Sequence, residues 1–396
     1  MRERRDTADP LIATILGRDR SMFADDLEAN HGDIDQAVAG KRLLVVGAGG
    51  SIGSAFVLQL VRHKPRALHL VDINENTLAE VVRDLRSSDV GFSDDFLTVS
   101  IDFGSMEFAR FVATHGPYDQ LLNFSALKHV RAERDPFSLA RMIDVNVRAL
   151  DDALTMMPGL KRAFSVSTDK SVRPANLMGA TKNLMEQVLF CRSGPVATTA
   201  RFANVAFSAG SLLESFEMRL AKGQALACPG DVRRYLISHE EAGQLCLLAA
   251  FLGDHREAFF PRLAESTMVS FVDIAKAFLV SKGLSMRICD DEAEAKRLVG
   301  QPGTWPCHVG HSDTAGEKPF EEFFRSDDEP DFSRYRSVGV LRERPTDPQV
   351  VARFLDAVRL IRENLLWTKD DFAALIQQAV PDLKHVVHGR NLDEKM

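Results

Sequence analysis

At 396 residues, 45% of them hydrophobic, the chain is long enough for one large domain with added lobes and a sizeable core. Its net charge of −7, from 56 acidic and 49 basic side chains, gives no electrostatic footprint for nucleic acid. No apolar run approaches the roughly 18 residues that span a bilayer, so no membrane partner is expected.

Met1-Arg-Glu-Arg-Arg-Asp6 has no apolar core behind it and does not read as a signal peptide. Five scattered cysteines (Cys191, Cys228, Cys246, Cys289 and Cys307) are odd in number, which fits a reduced cytoplasmic protein. Cys307-His308 with His311 lacks a second ligand pair at metal spacing and reads as a plain loop, so no metal is expected. Residues 1–40 form a polar N-terminal extension with short helices over Pro10–Leu16 and Asp33–Val38, packed on the main domain or on a neighbouring subunit.

The apolar run from Lys41 enters Gly47-Ala-Gly-Gly50-Ser-Ile-Gly53 and then a helix over 54–62. Glycines at such a strand-to-helix turn let the backbone approach a pyrophosphate, and the helix start offers it free N–H groups. A second strand, 67–71, ends in Asp72, about 20 residues further on, where a carboxylate holds the adenosine ribose hydroxyls of a dinucleotide. The next residues, Ile73-Asn-Glu-Asn76, supply no cation for a 2′-phosphate. NAD is therefore expected over NADP. A helix over 75–86 and a strand over 96–101 follow, ending in Asp102-Phe103. Asp102 is a candidate acceptor for the adenine amino group, or else a helix cap.

Next come a helix over 106–114 and a strand over 120–125. The long helical pattern from Pro136 to Met156 carries Asn146 amid apolar residues, and a buried Asn must find hydrogen bonds, in a site network or as a brace for backbone. The strand Ala163–Val166 ends in Ser167-Thr168-Asp169-Lys170. Pro174 opens a helical pattern on which Met178 and Lys182, four apart, share one face. A hydroxyl, a carboxylate and two amines thus converge at one strand end, where open α/β sheets place their sites.

After a strand over 196–202 the rhythm loosens. A loop and helix cover 208–222, and 224–237 reads as a small hairpin carrying Arg233 and Arg234, adjacent guanidiniums that suit a diphosphate. Helices are expected over 240–251 and 270–281, mostly loop over 300–346, and amphipathic helices over 350–361 and 369–380. The alternation specifies an α/β fold, a Rossmann-type doubly wound parallel sheet. Four regions result: the extension (1–40), the dinucleotide-binding domain (41–204), a smaller mixed substrate-binding lobe (205–330) and a helical C-terminal region (331–396). The long amphipathic helices around Asn146 and at the C-terminus either pair subunits, giving a homo-oligomer, or cover the sheet.

Gly47-x-x-Gly50-x-x-Gly53, Asn123-Phe-Ser-Ala-Leu-Lys-His-Val130, Ser167-Thr-Asp-Lys170 and Met178-x-x-x-Lys182 together resemble the extended short-chain dehydrogenase/reductases. More narrowly they resemble the nucleotide-sugar 4,6-dehydratases of bacterial polysaccharide biosynthesis, of the UDP-N-acetylglucosamine 4,6-dehydratase type. Arg201-Phe-Ala-Asn-Val205, Arg233-Arg-Tyr-Leu-Ile-Ser238 and Gly316-Glu-Lys318 extend the match to roughly residues 41–325. Two positions depart from the pattern. Met178 stands where most of the superfamily has Tyr, as in a membrane-associated branch of these dehydratases, and Thr314 stands where an Arg usually precedes Gly-Glu-Lys.

The resemblance implies NAD held by Gly47, Gly50, Ser51, Ile52, Gly53, Asp72, Asp102, Phe103, Ser125 and Lys182. It implies a UDP-linked sugar held by Lys128, His129, Asn146, Asn204, Ser211, Arg233, Arg234 and Glu317. It also implies the chemistry: hydride leaves C4 of the hexose, water is lost across C5 and C6, and hydride returns to C6. Thr168 then bonds the C4 oxygen, Asp169 is the acid and Lys170 the base, with Met178 and Lys182 completing the catalytic set. Because Met178 cannot accept a proton, Asp169 is expected to receive the C4 hydroxyl proton. A 4-epimerase or 4-ketoreductase would need the missing Tyr, and a catalytically silent NAD-binding regulator would have no use for clustered Thr-Asp-Lys.

Overall fold

The computed structural model describes residues 6–88, 90–312, 321–364 and 366–385. Its main sheet has eight strands: β1 (Arg42–Val46), β2 (Ala67–Asp72), β3 (Asp95–Ser100), β4 (Gln120–Asn123), β5 (Arg162–Val166), β6 (Val196–Ala200), β7 (Glu257–Pro261) and β8 (Val338–Arg342). They lie in the order β8-β7-β6-β5-β4-β1-β2-β3. All neighbours are parallel except β7 and β8. This is the Rossmann-type α/β sheet that the alternating pattern specifies. The strand order reverses between β1 and β4, so a crevice opens beyond their carboxyl ends.

Strand β1 shows why these strands read as unbroken apolar runs. Leu44 and Val46 enter a core on one face, Leu43 and Val45 a core on the other. A parallel strand covered on both faces needs apolar side chains at every position. Helices Met106–His115 and Leu177–Phe190 cover the first face, and helices Ser51–Leu60, Glu75–Ser87 and His239–Leu252 the second. The C-terminal helices Pro348–Glu363 and Lys369–Ala379 lay Val351, Phe354, Phe372 and Ile376 into the first core. Their apolar stripes are thus occupied within the chain.

A second lobe carries a parallel three-stranded sheet, Ser285–Cys289, Thr304–Gly310 and Leu226–Pro229. Helices Leu212–Ala221 and Phe271–Ser281 pack on it, with the N-terminal helix Pro10–Leu16 in the same core. The other N-terminal helix, Ala24–Val38, is longer than the expected 33–38 and packs on the main sheet's second face. Arg18 fixes this region, its guanidinium donating to both oxygens of the buried Glu241 at 2.7 and 2.8 Å.

Three local expectations are corrected. The helix bearing Met178 starts at Leu177, not Pro174: Asn176 caps it by accepting from the Gly179 N–H at 2.8 Å. Residues 224–237 form no hairpin: Leu226–Pro229, Arg233–Arg234 and Leu236–Ile237 each pair with a strand far away in sequence. The stretch 300–346 holds two strands, Thr304–Gly310 and β8, despite its prolines and charges. In the last two cases a long-range partner decides the strand, and local composition does not record it.

Candidate active site

The crevice beside β1 holds a cleft of about 270 Å³ lined by Gly47, Gly50, Asp72, Asp102, Phe103 and Ser125 among others. Gly47 has φ +74°, and a Cβ there would stand 2.5 Å from the Ser125 nitrogen. The turn therefore requires glycine, which brings the β1 and β4 ends together. Gly53 serves helix packing: its Cβ would lie 2.2 Å from the Gly47 oxygen. Gly50 is exposed at the helix start, with nothing closer to its Cβ position than the Gly47 oxygen at 3.3 Å. Asp72 accepts the Gly49 N–H on one oxygen at 2.8 Å and the Asn74 N–H on the other at 2.9 Å. Each oxygen can still accept a further hydrogen bond, and Asp72 lines the cleft.

Other expected cofactor residues take different places. Ile52 packs against the second-face core. Ser51 accepts the Ala209 N–H at 2.9 Å and so ties the glycine turn to the second lobe. Asp102 stands 3.9 Å from Arg141, a cleft residue that the sequence reading did not select.

Strand β5 delivers the polar cluster. After it the chain makes a 3-10 turn, Asp169–Ser171, with Thr168 as its cap. The Thr168 hydroxyl donates to Asp169 Oδ1 at 2.8 Å, and Lys170 Nζ stands 3.4 Å from the same oxygen. Asp169 is buried while the Lys170 side chain is 38% exposed. Buried Lys182 donates to the Val166 carbonyl at 2.7 Å, and burial pushes its pKa down to about 8 against the opposing charge of Glu186. Met178 is buried, and its backbone N–H donates to Glu133 at 2.8 Å.

A buried ion-pair network fixes this turn. Arg201 donates to both oxygens of Glu186 at 2.9 and 2.5 Å, to Glu343 at 2.6 Å and to the Phe323 carbonyl at 2.9 Å. Ser171 Oγ lies 2.9 Å from Glu186. Burial is the largest influence and would raise the Glu186 pKa, but the Arg201 charge together with the hydrogen bonds from Arg201 and Ser171 makes the net shift downward.

Several expected substrate residues have protein partners. Asn146 sits in a π-helical turn, Asp144–Arg148, its side chain accepting the Leu127 N–H at 2.9 Å and donating to the Leu127 carbonyl and the Thr181 hydroxyl at 3.0 Å. It braces the loop after β4. That loop meets the second lobe: Lys128 Nζ is 3.5 Å from Ser208 Oγ, and the His129 ring lies so close to Gly210 that a Cβ there would stand 2.1 Å from Cε1. Ser211 caps helix Leu212–Ala221. Arg233 and Arg234, expected to suit a diphosphate together, differ in exposure. They occupy a two-residue strand, where successive side chains point to opposite faces, so Arg233 is exposed and Arg234 buried. Glu317 lies outside the described residues.

The sequence reading missed Glu321. Its side chain is only 3% exposed, one oxygen accepts from Asn204 Nδ2 at 2.9 Å and stands 3.7 Å from Arg234 Nε, and the other has no hydrogen-bond partner among the described residues. Burial, then the Asp169 charge, pushes its pKa up to about 7. Glu321 and Glu322 stand side by side just after Gly316-Glu-Lys318 in the sequence, and only the fold shows that Glu321 is buried.

Among the described residues one further group has metal-ligand types, His31, Asp35 and His63. The Asp35 carboxylate lies 3.1 Å from the His31 ring nitrogen and 2.6 Å from that of His63, contacts that account for the grouping as hydrogen-bonded pairs. No described helix is long and apolar enough to cross a membrane.

Comparison with known proteins places the chain. It is 28% identical over 282 residues to the probable polysaccharide biosynthesis protein EpsC of Bacillus subtilis, covering 67% of this chain and 46% of that protein; the chain thus spans about half of EpsC. It is 26% identical over 262 residues to a UDP-N-acetylglucosamine 4,6-dehydratase (inverting) of Campylobacter jejuni, covering 63% and 75%. The fold matches the X-ray structure of Pen from Bacillus thuringiensis with a TM-score of 0.63 at 16% identity, over 77% of this chain and 88% of that one. The sequence model for polysaccharide biosynthesis proteins matches residues 43–340, from β1 into β8, and the chain therefore belongs to the polysaccharide biosynthesis protein family.

Proposed function

We propose that this protein is an NAD-dependent nucleotide-sugar 4,6-dehydratase, converting UDP-N-acetylglucosamine or a related nucleotide hexose to its 4-keto-6-deoxy form for polysaccharide synthesis. The observation that carries the reading is the convergence of the Thr168 hydroxyl and the Lys170 amine nitrogen on one Asp169 carboxylate oxygen. The resemblance to the Campylobacter dehydratase supports it.

The cleft residues fit NAD. Gly50 leaves the backbone open where a pyrophosphate would lie, and Asp72 has acceptor capacity for ribose hydroxyls but repels a 2′-phosphate. NAD, when bound, supplies a hydride acceptor for C4 and later a donor for C6.

The proton steps close on two side chains. Asp169, through Thr168, takes the O4 proton as C4 becomes a ketone. The ketone acidifies H5, and Lys170 in its neutral form removes it. Asp169 then returns its proton to O6, which leaves as water. Lys170 finally gives its proton back to C5. Each group ends as it began, so no tyrosine is needed and Met178 is tolerated. Epimerisation at C4, in contrast, has no step for a Lys base at C5.

Asp169→Asn tests the assignment. The variant is expected to retain NAD while product formation falls by about a hundredfold or more. Unchanged turnover would rule out the role of Asp169.

A further inference from the structure

Glu321 joins the site to the second lobe. Asp169 and Lys170 reach it electrostatically from the end of β5; Arg234 and Tyr235 approach from the second lobe. The arginines around the adjoining cleft are directed elsewhere. Arg173 donates to Ser326, Arg325 pairs with Asp382 at 2.8 Å, and Arg262 lies over the Phe332 ring. Glu322 lines the same cleft and adds a negative charge.

A nucleotide sugar whose hexose faces Asp169 and Lys170 must place its diphosphate within a few bonds of them. Arg234 is a buried cation beside Glu321, and Asn204 a neighbouring amide donor. Asn204 donates to one oxygen of Glu321 at 2.9 Å, and Arg234, whose guanidinium also donates to the Arg233 carbonyl, stands 3.7 Å from the same oxygen. One guanidinium charge cannot balance a dianionic diphosphate and an ionised glutamate together, and desolvating an unbalanced carboxylate is costly.

We propose that Glu321 is a substrate-positioning carboxylic acid that enters the nucleotide-sugar complex protonated, so that the diphosphate takes over Arg234 and binding draws one proton from solution. The inference rests on the nucleotide-sugar reading of the site. It makes the Glu321 oxygen that has no hydrogen-bond partner among the described residues a hydroxyl donor to the bound substrate. It also assigns a selectivity rule: ligands with a diphosphate near the hexose bind with proton uptake, whereas a neutral sugar does not. The free enzyme is already poised for this, because burial and Asp169 hold the Glu321 pKa at about 7.

The test is calorimetric titration of the NAD-loaded protein with UDP-4-deoxy-4-fluoro-N-acetylglucosamine. This diester does not titrate between pH 6 and 8.5, and it has no C4 hydroxyl to oxidise. Wild-type affinity is expected to weaken roughly tenfold for each pH unit above about 7, whereas Glu321→Gln, which keeps an amide donor, gives a flat profile. At pH 8, titrations in two buffers of different ionisation enthalpy should show about one proton taken up by wild type. The same slope in Glu321→Gln, or wild-type uptake near zero, overturns the proposal, and the uptake measurement decides even if the variant fails to fold. Absence of binding at every pH overturns the nucleotide-sugar reading itself, and the inference with it.

Discussion

The carbonyl of Lys170 rests on Gly179: a Cβ on that glycine would stand 2.3 Å from the oxygen. The first turn of helix Leu177–Phe190 is thereby pressed against the Thr168-Asp169-Lys170 turn. Gly179→Ala must push the two apart, and a misplacement of about 1 Å costs on the order of a hundredfold in rate. The variant is expected to lose activity on that scale while retaining NAD, since the cofactor cleft lies beside β1. Full turnover in Gly179→Ala would show that the turn does not need this contact.

Lys182 carries a pH signature. Burial holds its pKa at about 8, below the roughly 10.4 of an unfolded lysine. Between those values the unfolded chain binds more protons than the folded one, so this group makes stability rise with pH. Relative to Lys182→Met, wild type should gain about 2 kcal/mol from pH 8 to 10, read by urea denaturation at each pH. A constant difference between the two proteins would place the lysine pKa outside that window.

Breaking the buried Arg201–Glu186 pair should be severe. Arg201→Met leaves the Glu186 carboxylate buried without its cation, which costs about 3–5 kcal/mol. Urea unfolding measures it, and a loss below 1 kcal/mol would contradict the reading. Because Arg201 also holds the Phe323 carbonyl, the variant should loosen the segment that carries Glu321.

Asn146→Ala should free the Leu127 amide. Removing the buried side chain leaves that N–H and carbonyl unpaired, at a cost of about 1–3 kcal/mol. Hydrogen exchange at Leu127 is expected to accelerate by tenfold or more. Unchanged protection there would mean that the loop is held by other contacts.

The parts legible in the sequence were those whose cause is local. Apolar runs of five or six residues mark strands covered on both faces, and the Gly47 turn shows itself because φ +74° against Ser125 demands glycine. The Thr-Asp-Lys cluster was visible as polar residues ending such a run. Hidden were features set by distant partners. Arg233 and Arg234 read as adjacent guanidiniums suited to a diphosphate, but pairing with Val269 and Ser270 makes them an extended strand, in which successive side chains alternate. The role of Asn146 stayed open between site and brace because Leu127 is a neighbour only in the fold. Glu321 was indistinguishable from Glu322 until Asn204 and Arg234 met it.

The most direct measurement is the mass of the product when the purified protein is incubated with NAD and UDP-N-acetylglucosamine. The expected product is a nucleotide sugar lighter by one water, bearing a 4-keto group, and none is expected from Asp169→Asn. A product of unchanged mass would identify epimerisation instead, and no reaction with any nucleotide hexose would contradict the assignment of Asp169 and Lys170 as a working acid and base.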